Sequence, residues 1–170
     1  MIAFDVLVGL VVAVAAMLVF SFVRRSQAKP GDKRVLVPFT NGELDPTVLA
    51  AAIRISRAEH ATMVPAYLIV TPFEYTLEAP MRNQVELAMP LLEAVEHASL
   101  RAGVPVDARV ESGRSATHAL RRLWEAERFD RIVAPAPVNG AGFTPKQLQW
   151  LLTHAPTETL ILRPDPVTPH

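Results

Sequence analysis

Cysteine is absent from this 170-residue chain. That excludes disulfides, thiolate metal sites and a cysteine nucleophile. Net charge is absent too, with 17 Lys+Arg against 17 Asp+Glu, which argues against a globally basic nucleic-acid binder or an acidic tail protein. Aromatic residues are few, at 6%, and do not interleave with basic residues after the first 33 positions, so no stacking groove for nucleic acid is indicated. Phosphate-loop and dinucleotide fingerprints are lacking after the first β-like run, and no GxSxG elbow is present. His60, His97, His118, His154 and His170 have no i,i+4 pairing and no HExxH context, so no metal is expected.

What the chain has in plenty is apolar sequence at one end. Residues 1–23 contain only three residues that are not apolar, Asp5, Gly9 and Ser21. The 18 residues from Val6 to Val23 would span about 27 Å as a helix, close to the hydrocarbon thickness of a bilayer. A basic n-region and a small-residue cleavage site are both missing, so the segment reads as a transmembrane anchor and not as a cleaved signal. Arg24, Arg25, Lys29, Lys33 and Arg34 follow, against Asp32 alone. The positive-inside rule then places the N-terminus outside the cell membrane and everything beyond the basic linker, residues 24–33, in the cytoplasm. The excess of 14 Arg over 3 Lys suggests a GC-rich bacterial genome.

Residues 34–163 read as alternating strands and helices. Arg34–Phe39 is an apolar run suited to a strand buried on both faces. Asp45 and Pro46 open a helix whose apolar stripe runs through Val48, Leu49, Ala52, Ile53 and Ser56. Thr62–Val70 is a second strand. Pro80 opens a second helix with Met81, Val85, Ala88, Leu92 and Val95 on one face, a proline kink at Pro90, and a stop at Ala102-Gly103. Val104–Val110 is predicted as the third strand, Ser115–Glu127 as a helix capped by Ser115, and Asp130–Ala134 as the fourth strand. Thr144-Pro145 starts a last helix ending at His154, and Thr157–Arg163 is the fifth strand. Strands alternating with helices imply an α/β fold, a doubly wound parallel sheet with helices on both faces. The 15 prolines sit mostly at element boundaries, and only residues 164–170 read as a flexible tail.

Four segments in this order resemble the universal stress protein family. They are Val35-Leu-Val-Pro38, Gly113-Arg-Ser115, Asp130-Arg-Ile-Val133, and His154-Ala-Pro156 followed by Leu160-Ile-Leu-Arg163. The resemblance covers Arg34 to Arg163. It implies strand order 3-2-1-4-5, a homodimer through the last strand and, in one branch of the family, ATP at the switch point between strands 1 and 4. Any pocket would lie between Phe39–Gly42 and Pro135–Thr144.

The chain departs from the ATP-binding pattern Gly-x2-Gly-x9-Gly-[Ser/Thr]. The closing pair falls on Pro145-Lys146, Ala134-Pro135 stands near the first glycine, and the loop 136–143 is about three residues short. Thr40, followed by Asn41, stands where many members have an aspartate, so ribose and base contacts would fall to Thr40 and Asn41. Two readings stay open. In one, Gly140 and Gly142 let the backbone approach phosphate, Thr144 and the helix N-terminus meet phosphate oxygens, and Lys146 supplies charge. In the other, Thr144 is an N-cap, Pro145 an N1 residue, Lys146 a solvated side chain, and Asn139-Gly140 a turn.

Other constellations read as structural. Ser115 and His118 lie one turn apart but suit a cap and a helix surface. Glu86, Glu93 and Glu96 suit a solvated helix face. Trp124 and Trp150 suit packing or a partner anchor. The expectation is a membrane-tethered regulatory or interaction module without catalysis. It would dimerise, dock on a membrane-protein partner, and bind nucleotide weakly or not at all. The alternative is an adenine-nucleotide stress sensor with a variant phosphate loop.

Overall fold

The computed structural model divides the chain into two compact units, Met1–Gly31 and Asp32–His170. The residues it describes are 33–40, 44–77, 81–137 and 142–163, all in the second unit. The expected anchor, linker positions 24–32 and tail lie outside the described residues. Among the described residues no helix is long and apolar enough to cross a membrane.

Among the described residues five strands alternate with four helices: β1 Arg34–Phe39, α1 Pro46–Ala58, β2 Thr62–Val70, α2 Arg82–Arg101, β3 Arg109–Gly113, α3 Ala116–Ala126, β4 Arg131–Pro135, α4 Pro145–His154 and β5 Glu158–Leu162. The sheet is parallel throughout, in the order β3-β2-β1-β4-β5 expected from the resemblance. The central strands β1 and β2 are buried almost from end to end because helices cover both faces. Alternate side chains of β1 divide between the two cores. Leu36 packs with Leu120 and Leu123 of α3 and Leu151 of α4, whereas Val35 and Val37 pack with Val48 and Ala52 of α1 and Val95 of α2. This is the period-2 alternation of a strand.

The helix ends follow local chemistry. The Asp45 side chain accepts the N–H groups of Thr47 and Val48, and Pro46 takes the first turn, where its missing donor costs nothing. α2 continues through the exposed Pro90 and ends where Gly103, at φ +72°, receives the chain in the left-handed region. Gly113 closes β3 against α3. A Cβ there would lie 2.4 Å from the Ala119 nitrogen, so only glycine fits.

The third strand is the boundary that differs from expectation. Val104–Val110 alternates like a strand, yet β3 begins at Arg109. Upstream only Val106 bridges to Met63, and Asp107 turns its carboxylate into a buried ion cluster. Pro105 has no N–H to give a ladder.

An ion network braces the amino ends of the strands. Arg34 reaches Asp107 at 2.7 Å and Glu127 at 2.9 Å, and Arg109 reaches the same two carboxylates at 2.7 and 3.2 Å. The backbone N–H of Arg34 donates to Asp130 Oδ2 at 2.7 Å, and Asp130 N–H returns to Arg34 O at 2.9 Å. Arg131 joins Glu59 and Glu158. Residues up to 96 positions apart are thereby tied at the point where β1 begins.

Candidate functional site

In an open doubly wound sheet the crossovers diverge at a switch point, and the crevice beyond the carboxyl ends of the flanking strands is the natural ligand position. Here the flanking strands are β1, followed by α1 on one face, and β4, followed by α4 on the other. The register pairs Leu36 with Ile132, which continued along both strands sets Thr40 level with Ala136. The register of β4 with β5 pairs Pro135 with Leu162, so Arg163 is level with Ala136 from the other side. Gly142, at φ +81°, turns back over this point, its Cβ position 3.6 Å from the Ala136 carbonyl oxygen.

Of the six expected site residues, the structure places Thr40, Gly142, Thr144 and Lys146 around this end of β1 and β4. Asn41 and Gly140 lie outside the described residues. Thr40 is 8% exposed, and its hydroxyl has no hydrogen-bond partner among the described residues. Lys146 and Arg163 are exposed cations without a partner among the described residues. Sequence reasoning missed Arg163 because only the β4–β5 register brings it to the site.

The N-terminus of α4 is already furnished. Thr144 and Gln147 form a capping box: Thr144 N–H donates to Gln147 Oε1 at 2.8 Å, and Gln147 N–H donates to Thr144 Oγ1 at 3.3 Å. Pro145 has no N–H, and Leu148 N–H bonds back to the Thr144 carbonyl at 3.0 Å. In the first turn only Lys146 keeps an open backbone donor among the described residues. The Thr-x-x-Gln spacing was readable in the sequence and went unused.

A second feature of the carboxyl end was not visible in sequence. Arg114, in the turn after β3, donates to the carbonyl oxygens of Thr71, Pro72 and Tyr75 and lies 5.1 Å from the ring centre of Phe73. The β2–α2 loop is wrapped around this one guanidinium, which leaves Phe73 83% exposed. Thr71 is buried and its Oγ1 has no hydrogen-bond partner among the described residues.

The remaining candidates are occupied structurally. Ser115 Oγ accepts His118 N–H, and His118 Nδ1 accepts the Arg114 N–H at 3.0 Å, so these side chains shape the turn. Trp124 and Trp150 stack at 5.4 Å, and His154 stacks on Trp150 at 5.0 Å. Glu86 and Glu93 are exposed, and Glu96 is half-buried. Among the described residues no group of His, Asp and Glu could hold a metal ion.

No family model matches the chain, and no curated protein matches it. Solved structures do. A protein of the universal stress protein family from Burkholderia pseudomallei is 20% identical, with a TM-score of 0.56 over 79% of this chain and 98% of that one. This domain has the universal stress protein fold. A universal stress protein in complex with cAMP is 17% identical, with a TM-score of 0.55 over 76% of this chain and 96% of that one. A universal stress protein family protein from Arabidopsis thaliana with AMP bound is 13% identical, with a TM-score of 0.53 over 78% and 92% of the two chains. At these identities the likeness is one of fold, and the chemistry of the universal-stress-like domain has to be argued from its own residues.

Proposed function

We propose that this chain is a membrane-tethered, universal-stress-like regulatory module of the cytoplasm, a non-catalytic protein that holds an adenine nucleotide weakly at the β1–β4 switch point. The observation that carries the reading is the furnished N-terminus of α4. Its own side chains take the donors that a phosphate would need, while Thr40, Lys146 and Arg163 still surround the place where a ligand would sit. The solved structures of the same fold that hold cAMP and AMP support a nucleotide as the ligand class. The alternative, an adenine-nucleotide stress sensor with a variant phosphate loop, draws on that same support.

Residues 1–23 would fix the module at the bilayer and raise its effective concentration for a membrane-protein partner. The open edge of β5 would pair two copies, since Leu160, Ile161 and Leu162 are only partly covered and the strand has a neighbour on one side. Calorimetric titration of the full chain in detergent micelles with AMP, cAMP and ATP tests the nucleotide reading. Dissociation constants weaker than about 10 µM, binding free energies of about −7 kcal/mol or less in size, are expected. Nanomolar affinity would favour the sensor. Protease added outside intact cells should leave residues 34–163 uncut, and cleavage there would overturn the cytoplasmic orientation.

A further inference from the structure

We infer that the α3–α4 face of the domain is a docking surface for an anionic bilayer, the membrane to which the chain is tethered. The inference rests on the membrane reading above and adds which face of the domain meets the lipid. α3 and α4 pack against the same core on one face of the sheet, so residues far apart in sequence form one strip. Trp124 and Trp150 stack at 5.4 Å, His154 stacks on Trp150 at 5.0 Å, and the Arg121 guanidinium lies 5.6 Å from the Trp150 ring centre. Stacking fixes these rings without covering them: both tryptophans are only half-buried, and Arg121 and His154 are exposed. Lys146 and Leu152 are exposed on α4, and Arg128 is exposed just beyond α3. Tryptophan and arginine, each with an apolar body and a polar tip, are side chains suited to the headgroup level of a membrane.

Charge and the tether decide what covers the strip. After Arg34 the chain carries 12 cations against 15 anions. α3 and α4 run against that balance, with Arg121, Arg122 and Lys146 on them and Glu125 as their one carboxylate. Arg122 is paired with Glu111, whereas Arg121, Arg128 and Lys146 have no carboxylate partner among the described residues. Cations this close to an anionic leaflet are drawn to it. The helices of the opposite face contain no tryptophan, and α2 carries Glu86, Glu93 and Glu96, which lipid phosphates repel. The tether joins the domain at the end of the strip. Arg34, the first residue of β1, reaches Glu127 at 2.9 Å and lies 5.8 Å from the Phe129 ring centre, and these two residues flank Arg128. Residues 24–32 reach about 30 Å when fully extended. A bilayer holding residues 1–23 is therefore kept within that reach of Arg34, at high effective concentration for this face. An acidic protein segment would meet the same charges, but the chain itself brings the bilayer.

The chain supplies its own reporter, because Trp124 and Trp150 are its two tryptophans and residues 1–33 contain none. The full chain is reconstituted into phosphatidylcholine vesicles with or without phosphatidylglycerol, each made with and without phospholipid brominated in the upper acyl chain. The quantity read is tryptophan fluorescence in unbrominated vesicles relative to brominated ones, for the unaltered chain and for Arg121→Gln/Arg128→Gln and Arg121→Lys/Arg128→Lys variants. Bromine should quench the unaltered chain about twofold in anionic vesicles, and most of that quenching should vanish without phosphatidylglycerol or in the glutamine variant. The lysine variant keeps the charge and should keep the quenching. Circular dichroism on all three chains separates loss of docking from loss of fold. If the chain stays with the vesicles through an alkaline wash and bromine does not quench it, the docking face is wrong while the tether reading stands. If quenching is equal with and without phosphatidylglycerol, or is lost equally in both variants, charge does not hold the face to lipid and the inference is overturned. If quenching is absent and added polyglutamate shifts the tryptophan emission, the strip serves an acidic protein segment and the bilayer is the wrong partner. If the wash strips the chain from the vesicles, the tether reading itself fails and the inference falls with it.

Discussion

The two ends of the sheet use polar groups in opposite ways. At the amino ends of the strands, carboxylates and guanidinium groups are matched to one another: Asp107 and Glu127 each serve both Arg34 and Arg109, and Arg131 holds Glu59 and Glu158. At the carboxyl ends, the buried Thr71 hydroxyl and the exposed cations Lys146 and Arg163 have no partners among the described residues, and a helix N-terminus is closed by its own side chains. Charged groups at the amino end are spent on one another, although the Nε atoms of Arg34, Arg109 and Arg131 are buried there without a hydrogen bond among the described residues, whereas the carboxyl end leaves its two cations exposed.

Removing one carboxylate from the braced end should have the largest effect. Asp107 is 3% exposed in its side chain and stands between two arginines, so Asp107→Ala would leave both sharing Glu127 alone. A loss of about 3–4 kcal/mol is expected, the size seen when one partner of a buried pair is removed. Urea unfolding checks it, and a loss under about 1 kcal/mol would mean that the network is solvated and braces little.

The next largest effect belongs to the turn that carries Arg114. Gly113→Ala would set a Cβ 2.4 Å from the Ala119 nitrogen and 2.8 Å from its Cα, both backbone atoms that cannot swing aside. The start of α3 must shift, at a cost of about 2–3 kcal/mol in thermal or urea unfolding. The displaced Arg114 should release the carbonyls of Thr71, Pro72 and Tyr75, so amide exchange across 71–77 should rise more than in the sheet. Equal exchange in both would break the link between turn and loop.

A smaller effect tests the cap at the ligand end. Thr144→Ala removes the acceptor of the Gln147 N–H and should cost about 1 kcal/mol. It also returns one donor to the first turn of α4, so ATP affinity should not fall. A fall of tenfold or more would make Thr144 a phosphate contact and favour the sensor reading.

How much of this was legible in sequence follows from the range of each interaction. β1, α1, α3, α4 and their caps rest on neighbours within a few residues, and Asp45-Pro46, Ser115 and Thr144-Pro145 were readable for that reason. The start of β3 was misplaced because the alternation of Val104, Val106, Ala108 and Val110 looks like a strand, while Asp107 leaves the pattern to meet Arg34, 73 residues away. The order of the strands came from the family resemblance and not from the apolar pattern. In the candidate site, Thr40, Gly142, Thr144 and Lys146 were expected at the switch point from the family resemblance, and the structure sets them near that end of β1 and β4. Arg163 and the Arg114 clamp needed the register of β5 and the fold of the β2–α2 loop, which no local pattern encodes.

The smallest expected change is the one whose sign matters most for the contrast between the two ends. Thr71 is 1% exposed, and its Oγ1 is buried without a hydrogen-bond partner among the described residues. Its backbone N–H donates to the Gly113 carbonyl at 2.8 Å, a bond that any residue except proline keeps. Thr71→Val retains the β-branched shape and exchanges the hydroxyl for a methyl group. Where a hydroxyl is bonded, that exchange strands a partner and costs about 1–3 kcal/mol; where it is not, the exchange relieves a desolvated group and is neutral or stabilising. Urea unfolding of Thr71→Val should therefore show a change within about 0.5 kcal/mol of zero or a gain. The same measurement on Asp107→Ala should show the large loss given above, and the pair is the sharpest form of the comparison. A loss above about 1 kcal/mol for Thr71→Val would show that its hydroxyl is bonded, and Thr71 would then no longer set the carboxyl end apart from the amino end.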